Sequence, residues 1–265
     1  MSLKIVVLAK QVPDTRNVGK DAMKADGTVN RAALPAIYNP EDLNALEQAL
    51  RLKEIHPGST VHVLTMGPSR AAEVIRESMF RGADGGYLLS GREFAGSDTL
   101  ATSYALSCAL RKLGKIDVII CGRQAIDGDT AQVGPQIAEH LGLPQISYVA
   151  GLEMKDGKYI VKKETEEGYQ MLEVAGPALL TVLASGFKAR YMSVGGIVEA
   201  YKKDVEVWGV EKVDLPVEML GLKGSGTKVY KSFTKGVKAA GEVYEVDPEQ
   251  AVDLIVSKLK EKFII

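Results

Sequence analysis

The chain has 265 residues, 46% hydrophobic and 25% charged, enough for one large domain or a domain with an appended arm. Its 33 basic and 34 acidic residues leave a net charge of -1, which excludes a general attraction to nucleic acid or to an anionic membrane. Its two cysteines, Cys108 and Cys121, stand in no C-x-x-C or Cys/His cluster, so neither a disulfide framework nor a metal site is expected, and a reducing compartment is.

The first apolar run, residues 5–9, is too short for a membrane span or a signal-peptide core. It reads as a buried first strand of a cytoplasmic protein. Further strands are expected at 61–66, 86–90 and 118–121; several are apolar throughout, as strands covered on both faces are. Asn39-Pro40-Glu41-Asp42 reads as an N-cap, an N1 proline and an acidic first turn, followed by Leu43, Leu46 and Leu50 at helical spacing. Other helices are expected over 69–81, stopped by Gly82, over 98–113, and from Thr130 to Leu141 before Gly142. Strand and helix alternating on short connections make a mostly parallel α/β sheet with flanking helices, which binds ligands at the carboxyl ends of its strands. The loops after Ala9, Met66 and Cys121 are therefore the ones to inspect.

Beyond residue 150 the pattern changes. Residues 154–158 form a turn, 159–166 alternate with period two, and 178–183 are apolar, which reads as an antiparallel extension of the same sheet. Residues 221–241 are rich in Gly, Lys, Ser and Thr, and Asp247-Pro248-Glu249 starts a helix carrying Ala251, Leu254, Ile255 and Leu259. The expected organisation is an α/β domain over 1–205 and a C-terminal arm with a helix over 206–265. That arm packs on another polypeptide or folds back on the core.

The segment densest in polar groups is Gly122-Arg123-Gln124-Ala125-Ile126-Asp127-Gly128-Asp129-Thr130-Ala131-Gln132-Val133-Gly134, between a buried strand and a helix. Glycines let a backbone approach a ligand, helix-start N–H groups favour an anion, and Thr130 and Gln132 add neutral donors. Asp127 and Asp129 either cap the next helix or accept from ribose hydroxyls or an amine. Small Ala9 leaves space for a flat ring; Lys10 is either solvated or functional, and Met66 either core or contact. Asp98-Thr99-Leu100-Ala101-Thr102-Ser103 opens a helix with hydroxyls that suit a second anionic group, although a single N-cap would explain Asp98. There is no G-x-G-x-x-G after the first strand, and residues 221–228 transpose the lysine and threonine of a P-loop. The three histidines pair with no evident nucleophile, so no catalytic residue is assigned and the chemistry is left to a cofactor.

These segments resemble the β subunit of electron transfer flavoproteins. The resemblance is carried by Ala9-Lys10-Gln11-Val12-Pro13-Asp14, Tyr38-Asn39-Pro40-Glu41-Asp42, Gly82-Ala83-Asp84, Gly122-Arg123-Gln124-Ala125-Ile126-Asp127 and Arg190-Tyr191-Met192-Ser193-Val194-Gly195-Gly196-Ile197, in the family's order. It implies an adenine nucleotide alpha hydrolase-like fold and an obligate heterodimer with an α subunit that holds most of a flavin. It also implies an adenine-nucleotide site at Ala9, Asn39 to Asp42, Met66 and the loop from Gly122 to Gly134, and makes 190–197 the loop that docks on partner dehydrogenases.

Subunits of the mitochondrial type, which hold AMP, tend to carry a third acidic residue where this chain has Gly128. The combination here is similar to anaerobic bacterial members that bind a whole FAD and bifurcate electrons from NADH. One electron then goes to ferredoxin or flavodoxin. The other passes through the α-subunit FAD to a flavin-dependent acyl-CoA or 2-hydroxy acid dehydrogenase. On this reading the chain alone shows no turnover. The alternatives are a simple carrier with structural AMP and an adenine-nucleotide regulator without a redox role.

Overall fold

A nine-stranded sheet runs through the molecule, seen in a computed structural model that describes residues 2–14, 35–186, 188–230 and 241–265. Its strands are β1 (Lys4–Leu8), β4 (Thr60–Met66), β5 (Gly85–Leu89), β6 (Val118–Gly122), β7 (Gln145–Lys155), β8 (Lys158–Thr165), β9 (Gly168–Ala175), β10 (Ala178–Val182) and β11 (Glu206–Trp208). The short strands β2 (Gln11–Pro13) and β3 (Ala36–Tyr38) form a separate antiparallel ribbon. The order across the large sheet is β11-β5-β4-β1-β6-β10-β7-β8-β9. Pairing is parallel from β11 to β7 and antiparallel through β7, β8 and β9, so the expected extension does belong to the same sheet.

The central strands are apolar throughout because both of their faces are covered. Every residue of β6 and β10 is buried. On one face, α1 (Pro40–Ile55) and α2 (Ala72–Phe80) enclose Ile5, Val7, Leu46, Val63 and Ile120. On the other, α3 (Thr99–Leu113) and α4 (Val133–Leu141) enclose Val6, Leu64, Leu106, Ile119 and Ile137. A fifth helix, α5 (Val194–Tyr201), packs on α2.

The expected break at residue 206 does not coincide with the packing. Residues 206–208 form β11, paired with β5, and Trp208 is buried against Tyr87 with ring centroids 4.5 Å apart. The short helices α6 (Val210–Val213) and α7 (Gly221–Gly224) follow, and Val213, Leu215 and Leu220 join the α3 side of the core. Four buried apolar side chains within 15 residues outweigh a composition that reads as a linker. Part of the lysine-rich stretch, residues 231–240, lies outside the described residues. The last helix, α8 (Pro248–Glu261), is capped by Asp247 through Gln250 N and buries none of its residues. Among the described residues no helix is long and apolar enough to cross a membrane.

From β1 the sheet grows outward through β4 and β5, and from β6 it grows the other way through β10. The order reverses between β1 and β6, and such a switch point opens a crevice beyond the carboxyl ends of the two strands.

Candidate functional site

The crevice is bounded by the loops that leave β1 and β6, and α1 holds both of them. Asp42, in the first turn of α1, accepts from Lys10 N through Oδ2 and from Gly122 N through Oδ1, both at 2.9 Å. Its neighbour Glu41 accepts from Gln124 N at 3.0 Å and from Arg123 Nη2 at 2.9 Å. Asn39 stands at the N-cap position but its side chain does not cap α1. It donates to Gln124 O at 2.9 Å and accepts from Ile126 N at 3.2 Å. These residues stand at the helix start that their spacing predicts, but their side chains bind the neighbouring loops instead of capping their own helix. Burial raises the Asp42 carboxyl to about 7, against the opposing pull of the Lys10 and Gly122 amides.

A cavity of about 920 Å³ opens above these bonds. Ala9, Lys10, Asp42, Met66, Thr99 and Thr102 line it, as do Gly122, Arg123, Gln124, Ala125 and the continuous run Asp127, Gly128, Asp129, Thr130, Ala131, Gln132, Val133 and Gly134. Asn39, Pro40 and Glu41 do not reach it. Ser103, grouped with Thr99 and Thr102 in the sequence, is fully buried and donates to Leu100 O at 2.9 Å, so it offers nothing to the cavity.

Neither aspartate of the β6 loop caps α4. Asp127 pairs with Lys10, whose Nζ lies 2.7 and 2.9 Å from its two oxygens, and this ion pair spans the crevice from the β1 loop to the β6 loop. Asp129 accepts from Gln124 Nε2 at 2.8 Å. The helix begins at Val133, three residues later than expected, and its N-cap Gln132 accepts from Thr99 Oγ1 at 2.8 Å instead of capping. The first amides of α4 are thus left without a side-chain acceptor beside the cavity, an arrangement suited to an anion. Asp129 and Ala131 hold left-handed backbone, with φ of 48° and 53°. Non-glycine residues adopt that conformation rarely, and mostly where a loop is fixed by its surroundings.

The glycines of the loop answer to different needs. A Cβ on Gly122 would stand 2.5 Å from Asp42 Oδ1, and one on Gly134 would stand 2.9 Å from Thr181 Cγ2, so both serve the packing of the protein on itself. A Cβ on Gly128 would meet nothing within 4 Å.

Sequence reasoning missed the far wall. Gly91, Arg92, Phe94 and Ala95, in the loop after β5, also line the cavity, together with Arg70 after β4. The signal was available, since every strand end on this edge is a candidate, but β5 was the least marked strand because it opens on two glycines. Lys10 and Arg123 are engaged in ion pairs, whereas Arg70 and Arg92 have none among the described residues.

A smaller cavity of about 430 Å³ lies at the opposite edge, lined by Leu3, Leu110, Ile116, Leu143 and Tyr159. Its polar groups are committed to structure: Asp117 accepts from Lys4 N at 2.7 Å, and Arg111 donates to His140 O.

The stretch from Arg190 to Ile197 lines neither cavity. Arg190 is bound to Glu47 and Glu54 of α1, while Tyr191 and Val194 are 88% and 81% exposed. Met192 is exposed, Ser193 caps α5, and Gly195, Gly196 and Ile197 lie within α5.

Fold and cleft together define an open-sheet α/β protein with a cleft at the switch point of its sheet, where ligands of such sheets bind. The chain belongs to the electron transfer flavoprotein family, as a β subunit: the family model described as "Electron transfer flavoprotein domain" matches residues 26–213. It is 48% identical over 263 residues to the electron transfer flavoprotein subunit beta of Clostridium acetobutylicum, covering 99% of this chain and 100% of the relative. With the same coverage it is 47% identical over 264 residues to subunit CarD of the caffeyl-CoA reductase-Etf complex of Acetobacterium woodii. It is likewise 47% identical over 270 residues to the acryloyl-CoA reductase electron transfer subunit gamma of Anaerotignum propionicum, again with 99% of this chain and 100% of the relative covered.

Proposed function

We propose that this β subunit works in the cytoplasm as half of a heterodimer with an α subunit, binds a whole FAD in the cleft between β1 and β6, and bifurcates electrons from NADH. On this reading one electron goes to ferredoxin or flavodoxin and the other, by way of the α-subunit FAD, to a flavin-dependent acyl-CoA or 2-hydroxy acid dehydrogenase. The relatives named for caffeyl-CoA and acryloyl-CoA reduction support an acyl-CoA partner.

The observation that carries the FAD reading is the cleft itself. At about 920 Å³ it sits near the top of the roughly 300–1,000 Å³ range of ligand pockets, and its loop leaves open space at Gly128. Bound FAD would supply the redox chemistry, exchanging electrons in pairs or singly. The residues present fit it. Ala9 leaves the β1 end flat, the uncapped start of α4 and the Thr102 hydroxyl would bind phosphate oxygens, and Asp129 would accept from a ribose hydroxyl. The Lys10–Asp127 pair spans the crevice and would hold the β1 and β6 loops together around a bound nucleotide.

The test is to co-express the chain with its α subunit, denature the purified complex, and count the released nucleotides by chromatography. Two FAD and no AMP per heterodimer is the expected result. One FAD and one AMP would leave a simple electron carrier. A colourless complex would leave an adenine-nucleotide regulator.

A further inference from the structure

Glu47 lies on α1 five residues beyond Asp42, about 7.5 Å along the helix axis. Its side chain is only 5% exposed, a rare position for a carboxylate unless it is paired. Both of its oxygens are fully used. Oε2 accepts from the backbone N of Arg190 at 3.1 Å and from Arg190 Nε at 2.9 Å. Oε1 accepts from Arg190 Nη2 at 3.1 Å and from Arg51 Nε at 3.0 Å. The remaining Arg190 nitrogen, Nη1, pairs with Glu54, about two turns further along α1.

The chain on either side of Arg190 is tied as well. Arg190 O accepts from Arg81 Nε at 3.2 Å, and Ser193 N donates to Phe80 O at 3.1 Å. Ser193 then caps α5 by accepting from Gly196 N at 2.9 Å. Between these ties only Tyr191 and Met192 project, 88% and 46% exposed. An apolar pair held out between two fixed points has shape before anything binds it. A loop with only a solvated role would not require a buried carboxylate, contributed by a helix 143 residues away in sequence, to engage its arginine on three nitrogens.

We infer that Glu47 is a positioning residue for docking: it locks Arg190 so that Tyr191 and Met192 stand as a preformed apolar knuckle for a recess on the partner dehydrogenase. This rests on the docking reading of residues 190–197. Because the first turn of the same helix holds the nucleotide loops, α1 also fixes the knuckle relative to the cleft.

The experiment compares Glu47→Gln, Arg190→Lys and Tyr191→Ala with the unmodified heterodimer. Gln keeps the volume of Glu47 but removes the charge and one acceptor; Lys keeps the charge of Arg190 but loses the paired bonds. The first readout is amide hydrogen exchange across residues 188–196, with nucleotide content and exchange across β1 and β6 as controls for folding. Glu47→Gln should speed exchange at Arg190 and Ser193 by about tenfold or more, with Arg190→Lys intermediate. The second readout is steady-state reduction of a purified short-chain acyl-CoA dehydrogenase. Glu47→Gln should raise its KM by about tenfold at constant kcat, because an ordered loop loses less freedom on binding. Exchange unchanged in both clamp variants would overturn the inference. So would an unchanged KM in Glu47→Gln for a dehydrogenase whose KM rises in Tyr191→Ala. If Tyr191→Ala has no effect on KM, the docking reading fails, and faster exchange would still establish the clamp as the device that orders this loop.

Discussion

Gly122 and Gly128 share one loop and show how much a residue type conceals. Gly122 is required by the protein, since any side chain there would collide with Asp42 and Glu41. Gly128 is required by nothing in the fold: its Cβ would meet open space and its backbone is not left-handed. Replacing Gly128 with Asp should therefore leave folding intact while adding a carboxylate to the cavity wall. A pyrophosphate lying under this loop would be repelled more than a single phosphate. The expected result for Gly128→Asp is a loss of FAD affinity of about tenfold or more, roughly 1.4 kcal/mol, and a smaller loss for AMP. Titration calorimetry on nucleotide-stripped heterodimer would measure both. Equal losses would remove the pyrophosphate argument. The sequence identified the loop but not this division of labour, because a glycine's neighbours are set by tertiary contacts that no spacing encodes. The same holds for Asn39 and Glu41, whose helix-start signature reads alike whether their side chains face their own helix or a neighbouring loop.

At the scale of elements, α1 acts as a staple between two strand ends, and Asp42 is where the staple closes. The folded Asp42 carboxyl has a pKa of about 7, above its ordinary 3.8, so the folded state holds this proton to higher pH than the unfolded state does. Its contribution to stability is therefore greatest below about pH 4 and declines as the pH rises toward 7. Asp42→Asn lacks that decline. It also turns an amide group toward one of the two backbone donors, Lys10 N or Gly122 N, leaving that donor unpaired at a cost of about 1–3 kcal/mol. Urea unfolding at pH 5, 6, 7 and 8 should show Asp42→Asn less stable than the unmodified chain at pH 5, with the gap narrowing as pH rises. A gap that widens with pH would mean that the ionised carboxylate is the favoured form. Long elements were legible in the sequence because their burial is periodic or continuous: β1, β4, β6 and the helices α1 to α3 fall within a few residues of expectation. The strands β2, β3 and β11 were not, because three residues are too few to show a period. The start of α4 was placed early because Asp127, Asp129 and Thr130 all resemble caps, whereas Lys10 across the crevice claims Asp127 and Gln124 of the same loop claims Asp129.

On the scale of the whole molecule, the question is which part of the chain sustains the fold and which part is left for another protein. Composition placed the division at residue 206, yet the core reaches at least to Leu220. Ser225 and Thr227 remain attached beyond it: Ser225 Oγ accepts from Asp98 N at 2.9 Å, and Asp98 Oδ2 accepts from Thr227 N at 2.8 Å. From residue 241 onward no residue is buried, and Val252, Ile255, Phe263, Ile264 and Ile265 are all more than half exposed. The core loses nothing if these residues are removed. An uncovered apolar face of this kind marks an interaction site, and full burial of even two such side chains is worth about 3–6 kcal/mol, at least a hundredfold in affinity. Truncation of residues 241–265 should therefore leave unfolding of the body within about 0.5 kcal/mol of the intact chain, while weakening association with the α subunit by a hundredfold or more. Urea unfolding of the isolated chain would check the first expectation, and sedimentation velocity of the co-expressed subunits the second. A truncated chain that unfolds more easily and still pairs tightly would assign α8 to its own subunit, and the partner's grip would then have to come from the body of the sheet.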